Sequence, residues 1–198
     1  WGVRFNGLAR GGEGSIDGGD QKTMLGSIAL EYERSGLRWS LDAFAKRDDT
    51  DEFRPQINLQ GASTVIPRPP NARRNFYPGT TLVQDDRTIV GRVEYDANQA
   101  FTAYAGLGYR EGTNDQLFPV TSNTANSTGN FNVRSSYYDA YGKTLSGNAG
   151  VRWRATTGPV RHTLTAGVAS MKQEAGNAYI PGDAVDSNLY DPSPLAGI

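Results

Sequence analysis

Arginine and aromatic side chains gather in one stretch of this chain, VIPRPPNARRNFY, in a pattern suited to holding an oxygen-rich ligand with a flat organic body. Arg68, Arg73 and Arg74 supply guanidinium forks for carboxylate-type oxygens, while Phe76 and Tyr77 offer apolar ring faces. Pro67, Pro69 and Pro70 stiffen the segment that carries them. The competing reading is a solvated loop whose arginines pair with acids close by. A second cluster, Asp48, Asp49, Asp51 and Glu52, has oxygen ligands for a hard cation such as Ca²⁺. It lacks the spacing and turn glycine of a calcium loop and reads instead as a solvated strand end. Catalytic chemistry finds little to work with. His162 is the only imidazole, and neither Ser146 nor Ser170 lies in an activating motif, so the chain is not read as an enzyme.

Composition narrows the classes further. Lys and Arg number 20 against 21 Asp and Glu, and a net charge of -1 leaves no footprint for nucleic acid. With no Cys and one His, thiolate metal sites and His clusters are excluded, and no cofactor is expected. No run approaches the roughly 20 consecutive apolar residues of a transmembrane helix. That leaves the membrane open to β-strands, which need only about 9–11 residues and one apolar face. Such chains are hydrophilic on average, as this one is at a mean hydropathy of -0.56.

The elements that must position the candidate residues follow a period of two. In the stretch from Glu94 to Glu111, Phe101, Ala103, Ala105, Leu107 and Tyr109 share one face, opposite Thr102, Tyr104, Gly106, Gly108 and Arg110. The pattern breaks step at Ala97-Asn98-Gln99. Similar runs are WGVRFNGLAR, TMLGSIALEYE, LRWSLDAFAKRD, RTIVGRVEYD, KTLSGNAGVRWR and, with weaker alternation, VRHTLTAGVASM. About seven strands are therefore expected. Phe44 alone breaks the third run.

Connections between these runs alternate strictly. RSG, DANQ and ATTGP are tight turns, rich in the residues hairpins require. Between them lie GGEGSIDGGDQ, residues 49–86 and residues 112–139, with an open tail expected over 174–198. In an antiparallel series every tight turn then falls at one end and every long loop at the other. Two architectures fit: a β-sandwich that binds ligand through its loops, soluble or surface-anchored, and a transmembrane barrel with short turns on one side. Alternating runs of ten residues and loops beyond about 12–15 favour the barrel. So does the placing of aromatics. Tyr32, Trp39, Tyr95, Phe101 and Trp153 all lie on the apolar face within a few residues of a tight turn, as an interfacial belt would, and Tyr109 marks the other edge. His162, three residues after ATTGP, falls near the same interface.

The stretches WGVRFNGLAR, GLRWSLDAFAKRDD, RTIVGRVEYDANQAFTAYAGLGYRE and TGPVRHTLTAGVA, in this order and separated by long variable loops, resemble the TonB-dependent siderophore receptors of the Gram-negative outer membrane. The resemblance implies an all-β, antiparallel up-and-down meander that is a segment of a 22-stranded transmembrane β-barrel. It implies ferric siderophore as ligand, outer-membrane lipid around the barrel, and energy from the TonB-ExbB-ExbD system. Residues 1–198 are expected to be one partial barrel domain, with neither the plug domain nor the TonB-binding segment. On this reading Arg68, Arg73, Arg74, Phe76 and Tyr77 face the hydroxamate or carboxylate oxygens and organic shell of the siderophore, or else the arginines pair with lipopolysaccharide phosphates.

Overall fold

In a computed structural model, described over residues 1–53, 56–57, 65–121 and 125–196, the chain is a single antiparallel sheet. Its strands are β1 (Gly2–Glu13), β2 (Asp20–Arg34), β3 (Leu37–Asp51), β4 (Thr81–Asp96), β5 (Phe101–Thr121), β6 (Asn130–Thr157) and β7 (Val160–Asn188). They pair strictly in sequence order, as an up-and-down meander whose edges are β1 and β7. The sheet does not close on itself, and no second sheet covers it among the described residues. A single open meander of this kind fits the barrel expectation better than the sandwich.

Turn chemistry fixes the register at the tight end. Ser35 and Gly36 both adopt positive φ, at 50° and 82°, the type I′ geometry that matches strand twist in two-residue hairpins. At the β4–β5 turn, Asn98 Oδ1 accepts the backbone N–H groups of Ala100 and Phe101 at 2.8 and 2.9 Å. That side chain closes the turn where the alternation breaks. Gly158, at φ 58°, and Pro159 join β6 to β7.

From these turns the register carries the apolar residues onto one face. Val3, Leu30 and Leu41 lie side by side, as do Leu41, Gly91, Leu107 and Gly147. This face is uncovered, with Leu107 63% and Val168 76% exposed, which in water would be a large aggregation-prone patch. Trp1, Tyr32 and Trp39 bound it with rings in mutual contact at centroid distances of 4.5–6.1 Å. Along the register Trp39↔Val93↔Ala105↔Ala149, Trp153 lies a further four residues toward the tight turns. At about 3.3 Å per residue and 4.8 Å per strand, a level belt through Trp39 and Trp153 tilts the strands by about 40°, the inclination of a transmembrane barrel. Just beyond Tyr109 the face turns charged, with Glu111 opposite Lys143 and Arg47 bridging Asp49 and Asp85.

The strands run on well past this edge, and here the sequence-based boundaries need correction. β5 continues to Thr121, β6 begins at Asn130, and β7 extends to Asn188, so most of the expected 112–139 loop and of the expected 174–198 tail is paired strand. From Tyr109 to Thr121 the sheet rises about 30 Å above the apolar band. At that height no single apolar medium lines one whole face: Thr113 and Asp115 are exposed while Phe131, Val133, Ser135 and Ser136 are buried beneath the crown, so the regular alternation fades while backbone pairing continues.

Candidate functional site

Above the band, loops and strand extensions build a compact crown with its own core. Tyr77, Ala125, Phe131, Val133, Leu189 and Leu195 are buried there, with Ile57, Phe76 and Val185 packed against them. Tyr77 is 3% exposed and meets the Phe131 ring edge-on at a 6.1 Å centroid distance. Its ring is taken up by packing, so the residue shapes the loop from within. That role differs from the ligand contact expected of it.

Glu52 holds the loop base. Its backbone sits at φ 55°, a conformation uncommon for a residue with a side chain. Its N–H donates to the Thr80 carbonyl at 2.8 Å. Its carboxylate accepts the Gly79 N–H at 2.9 Å and the Asn75 amide, while Asn75 Oδ1 accepts the Tyr77 N–H at 2.9 Å. Three charge-assisted or buried hydrogen bonds thus converge where β3 leaves the sheet and β4 re-enters it.

The acidic cluster is divided by strand alternation. Asp48 points inward, accepting from Thr23 Oγ1 at 2.7 Å and pairing with Lys46, while Asp49 points outward to Arg47. Glu52 belongs to the loop base. The cluster is a strand end in which Asp48, Asp49 and Glu52 have separate partners.

The three arginines sit along the same loop but do different work. Arg73 Nε lies 2.8 Å from Asp17 Oδ1, and the Asp17 N–H donates to the Arg73 carbonyl at 2.8 Å, which ties the β1–β2 loop to the β3–β4 loop. Arg74 Nη1 donates to the Tyr190 carbonyl at 2.6 Å, and Tyr190 Oη donates to the Arg68 carbonyl at 2.7 Å. The Leu195 N–H donates to Pro78 O at 2.8 Å. Residues 189–195 therefore reach across from β7 to the β3–β4 loop. Arg68 itself is exposed beside Val65 and Ile66, and Phe76 is half-buried against the core.

Two groups not singled out in the sequence lie on the inner face of the strands. Phe118, Tyr138 and Tyr179 form an aromatic cluster, with centroid distances of 6.3 and 6.2 Å from Phe118 and a 2.9 Å contact between Ser136 Oγ and Tyr179 Oη. Below it Gln84, Asp86, Arg110, Asn114, Thr144 and Gln173 surround a recess floored by Gly112 and Gly142. Arg110 Nη2 lies 2.6 Å from Asp86 Oδ1. Arg110 and Thr144 lie in expected strands, but most of their neighbours here, among them Gln84, Asp86, Asn114, Phe118, Tyr138 and Tyr179, fall in stretches expected to be loop or tail, where alternation gives no register to bring them together. Nearer the turns Arg38 links Asp96 and Glu94 at 2.7 and 3.1 Å, and Tyr104 lies across Gly150 and Gly167.

Ser146 faces inward, whereas His162 and Ser170 face outward. His162 sits opposite Ala155, past Trp153 on the tight-turn side, and the strand register keeps both serines away from it.

A tilted sheet with an aromatic-edged lipid face, short turns at one end and a tall crown at the other is an arc of a transmembrane β-barrel. Comparison with known proteins makes the class more specific. The chain is 30% identical over 196 residues, 97% of its length, to the ferrichrome receptor FcuA of Yersinia enterocolitica. Among solved structures it superimposes on the ferric preacinetobactin receptor BauA of Acinetobacter baumannii with a TM-score of 0.84, 24% identity and 99% of the chain covered. It also matches the ferripyoverdine receptor of the outer membrane of Pseudomonas aeruginosa, with a TM-score of 0.75, 14% identity and 89% covered. It spans 25% of FcuA, 30% of BauA and 24% of the ferripyoverdine receptor. No family model matches the chain. The fold is the one the sequence resemblance implied, an open segment of a barrel like that of TonB-dependent siderophore receptors of the outer membrane, with the apolar band on its outer face.

Proposed function

We propose that this chain forms part of the barrel wall and extracellular mouth of an outer-membrane receptor that imports ferric siderophore. The observation that carries this reading is the pairing, on one sheet, of a belt-edged lipid face with a crown whose loops are stitched together above it. A lipid anchor alone needs no crown. A structured crown with an inward-facing wall suits capture of a ligand outside the cell. Similarity to siderophore receptors along nearly the whole chain supports the same conclusion.

On this reading residues 1–198 are one barrel portion, and the plug and TonB-binding segment belong to other parts of the receptor. Energy comes from the TonB-ExbB-ExbD system through those parts. The protein is a transporter and not an enzyme, and nucleic acid is no partner. Exposed Arg68 in the β3–β4 loop and half-buried Phe76 meet the incoming chelate. Arg74 holds the loop to residue 190, Arg73 pairs with Asp17 at the surface, and Tyr77 supports the loop from the core. The test is uptake of radioactive iron supplied as defined siderophores to cells with and without the gene, in TonB-competent and TonB-deficient backgrounds. Loss of uptake on deletion, and equal loss without TonB, is expected. Unchanged uptake of every siderophore tried, with no binding to the purified receptor, overturns the proposal.

A further inference from the structure

Where the outer face leaves the apolar band, its charges come in a fixed order. Moving along β2 away from the tight turns, Lys22 is met before Asp20; on β3 Arg47 comes before Asp49, and on β4 Arg87 before Asp85. On β6 Lys143 comes before Asp139, and on β7 Lys172 before Glu174. β1 and β5 depart from this order, their first outward charges being Glu13 and Glu111. The slant of the strands brings the cations to one height. Across the sheet Arg47 aligns, through Asp85 and Thr113, with Tyr141, and four residues nearer the tight turns on β6 stands Leu145, which adjoins Lys172. At a strand tilt of about 40°, Lys22, Arg47, Arg87, Lys143 and Lys172 lie within about 5 Å of one level, and on each of these strands the carboxylate stands above. Arg87 and Lys172 are exposed and have no ion pair among the described residues, whereas Lys22, Arg47 and Lys143 meet carboxylates at 2.9–3.4 Å. The tight-turn edge of the same face is different: it carries the rings of Tyr32, Trp39 and Trp153, and Arg34 is its lone lysine or arginine among the described residues.

We propose that this tier of cations is a binding surface for the phosphates of the outer-leaflet glycolipid, the lipid A portion of lipopolysaccharide. The inference rests on the barrel-wall reading, with the crown outside the cell, and is independent of what the receptor imports. Charges that served only to keep the base of the crown wet could come in either order, since Asp and Glu are hydrated as well as Lys and Arg. A layer of anionic headgroups at the edge of the hydrocarbon imposes an order, because the side chains level with it must be basic and like charges belong beyond it. Phosphate monoesters carry close to two negative charges at neutral pH, and Arg forks and Lys ammonium groups are the side chains that receive them. Long stems let these residues keep their carbon chains against the apolar band while their heads reach the phosphates. Cations on neighbouring strands stand about 6 Å apart along the level, close enough for two to share one phosphate.

The test uses the full receptor containing this chain, purified in detergent and stripped of bound lipid, with binding followed by retention of radiolabelled lipid in mixed micelles. Bisphosphorylated lipid A is the probe, and dephosphorylated lipid A with the same acyl chains controls for adsorption of hydrocarbon. The bisphosphorylated form is expected to bind about tenfold more tightly, with the difference narrowing as salt rises. Arg87→Gln combined with Lys172→Gln should weaken it about tenfold, whereas Arg87→Lys combined with Lys172→Arg should keep most of the binding. Arg34→Gln, at the opposite edge of the band, should leave it unchanged. Equal binding of the two lipids by the unaltered receptor overturns the proposal. So does an undiminished preference in the glutamine double variant, whose folding is checked by heat-modifiable migration. A crown labelled only from the periplasmic side overturns the barrel-wall reading and this inference with it, whereas absence of siderophore uptake with the lipid preference intact overturns the transport reading alone.

Discussion

The membrane arc and the extracellular crown solve the hydrophobic problem in opposite ways. In the arc, large side chains such as Phe5, Leu107, Leu164 and Val168 stay exposed, because lipid covers them and no protein core is required. In the crown, water surrounds the chain, and apolar residues must find one another. Of the hydrophobic residues that are fully buried among those described, Ala29 is in the arc, and Tyr77, Ala125, Phe131, Val133, Leu189 and Leu195 are in the crown. One stretch of chain thus passes from one solvent to another within a single strand. Its side-chain logic changes at the charged edge near Glu111 and Lys143 while its backbone ladder continues. Damage to the two regions should therefore be separable.

The largest effect should come from the crown core. Tyr77→Ala removes a buried ring packed on Phe131 and should destabilise the crown by about 3–5 kcal/mol. Proteases added to intact cells should then cut within 65–80, while assembly into the membrane, followed by heat-modifiable migration in gels, stays as before. Loss of membrane assembly in this variant would break the division into two regions.

The converse experiment places a charge in the lipid band. Leu41→Arg or Ala105→Arg should cost about 2–4 kcal/mol each in folding into bilayers, whereas Ser40→Arg, on the inner face beside Leu41, should be tolerated. Equal penalties on both faces would mean that the outer face is not the one meeting lipid.

Smaller effects sharpen each half. Glu52→Ala leaves the Gly79 and Asn75 donors without their acceptor and should cost about 1–3 kcal/mol, confined to protease resistance of the crown. In the arc, Gly150→Ala would bring a Cβ within 2.5 Å of Tyr104 Oη and 2.6 Å of the Ala166 carbonyl oxygen, and should cost about 1–3 kcal/mol in bilayer folding. At Gly142 the same change meets nothing within 4 Å and should be close to neutral. Least of all should follow from Arg73→Ala. Its ion pair with Asp17 is largely exposed, so crown stability is expected to be unchanged within measurement error, and a large loss would show the inter-loop link to be stronger than its solvation suggests.

The sequence by itself determined the lipid-facing part of this protein. Alternation in residues such as Phe101 to Tyr109 reports a strand with one face in an apolar medium, and the turns at Ser35-Gly36, Asn98 and Gly158-Pro159 punctuate it where hairpins must close. Local chemistry specifies both features, so strand order, the apolar face and the belt through Trp39 and Trp153 are legible in the chain alone. The tertiary structure decided everything that depends on residues distant in sequence meeting in water. Strands beyond Tyr109 and Leu145 lost their regular alternating signal because no lipid lines one face there: Thr113 and Asp115 meet water while Phe131 and Val133 are covered by the crown. Tyr77 became core because Phe131 and Leu189 arrive beside it, from positions no local pattern connects to it. Arg73 and Arg74 acquired their partners in Asp17 and Tyr190 in the same way, and the inner recess and its aromatic cluster exist only because the pairing of β4 to β7 sets Asp86 against Arg110 and Phe118 beside Tyr138 and Tyr179. Period and turn residues encode a strand's solvent, but long-range packing alone assigns its neighbours.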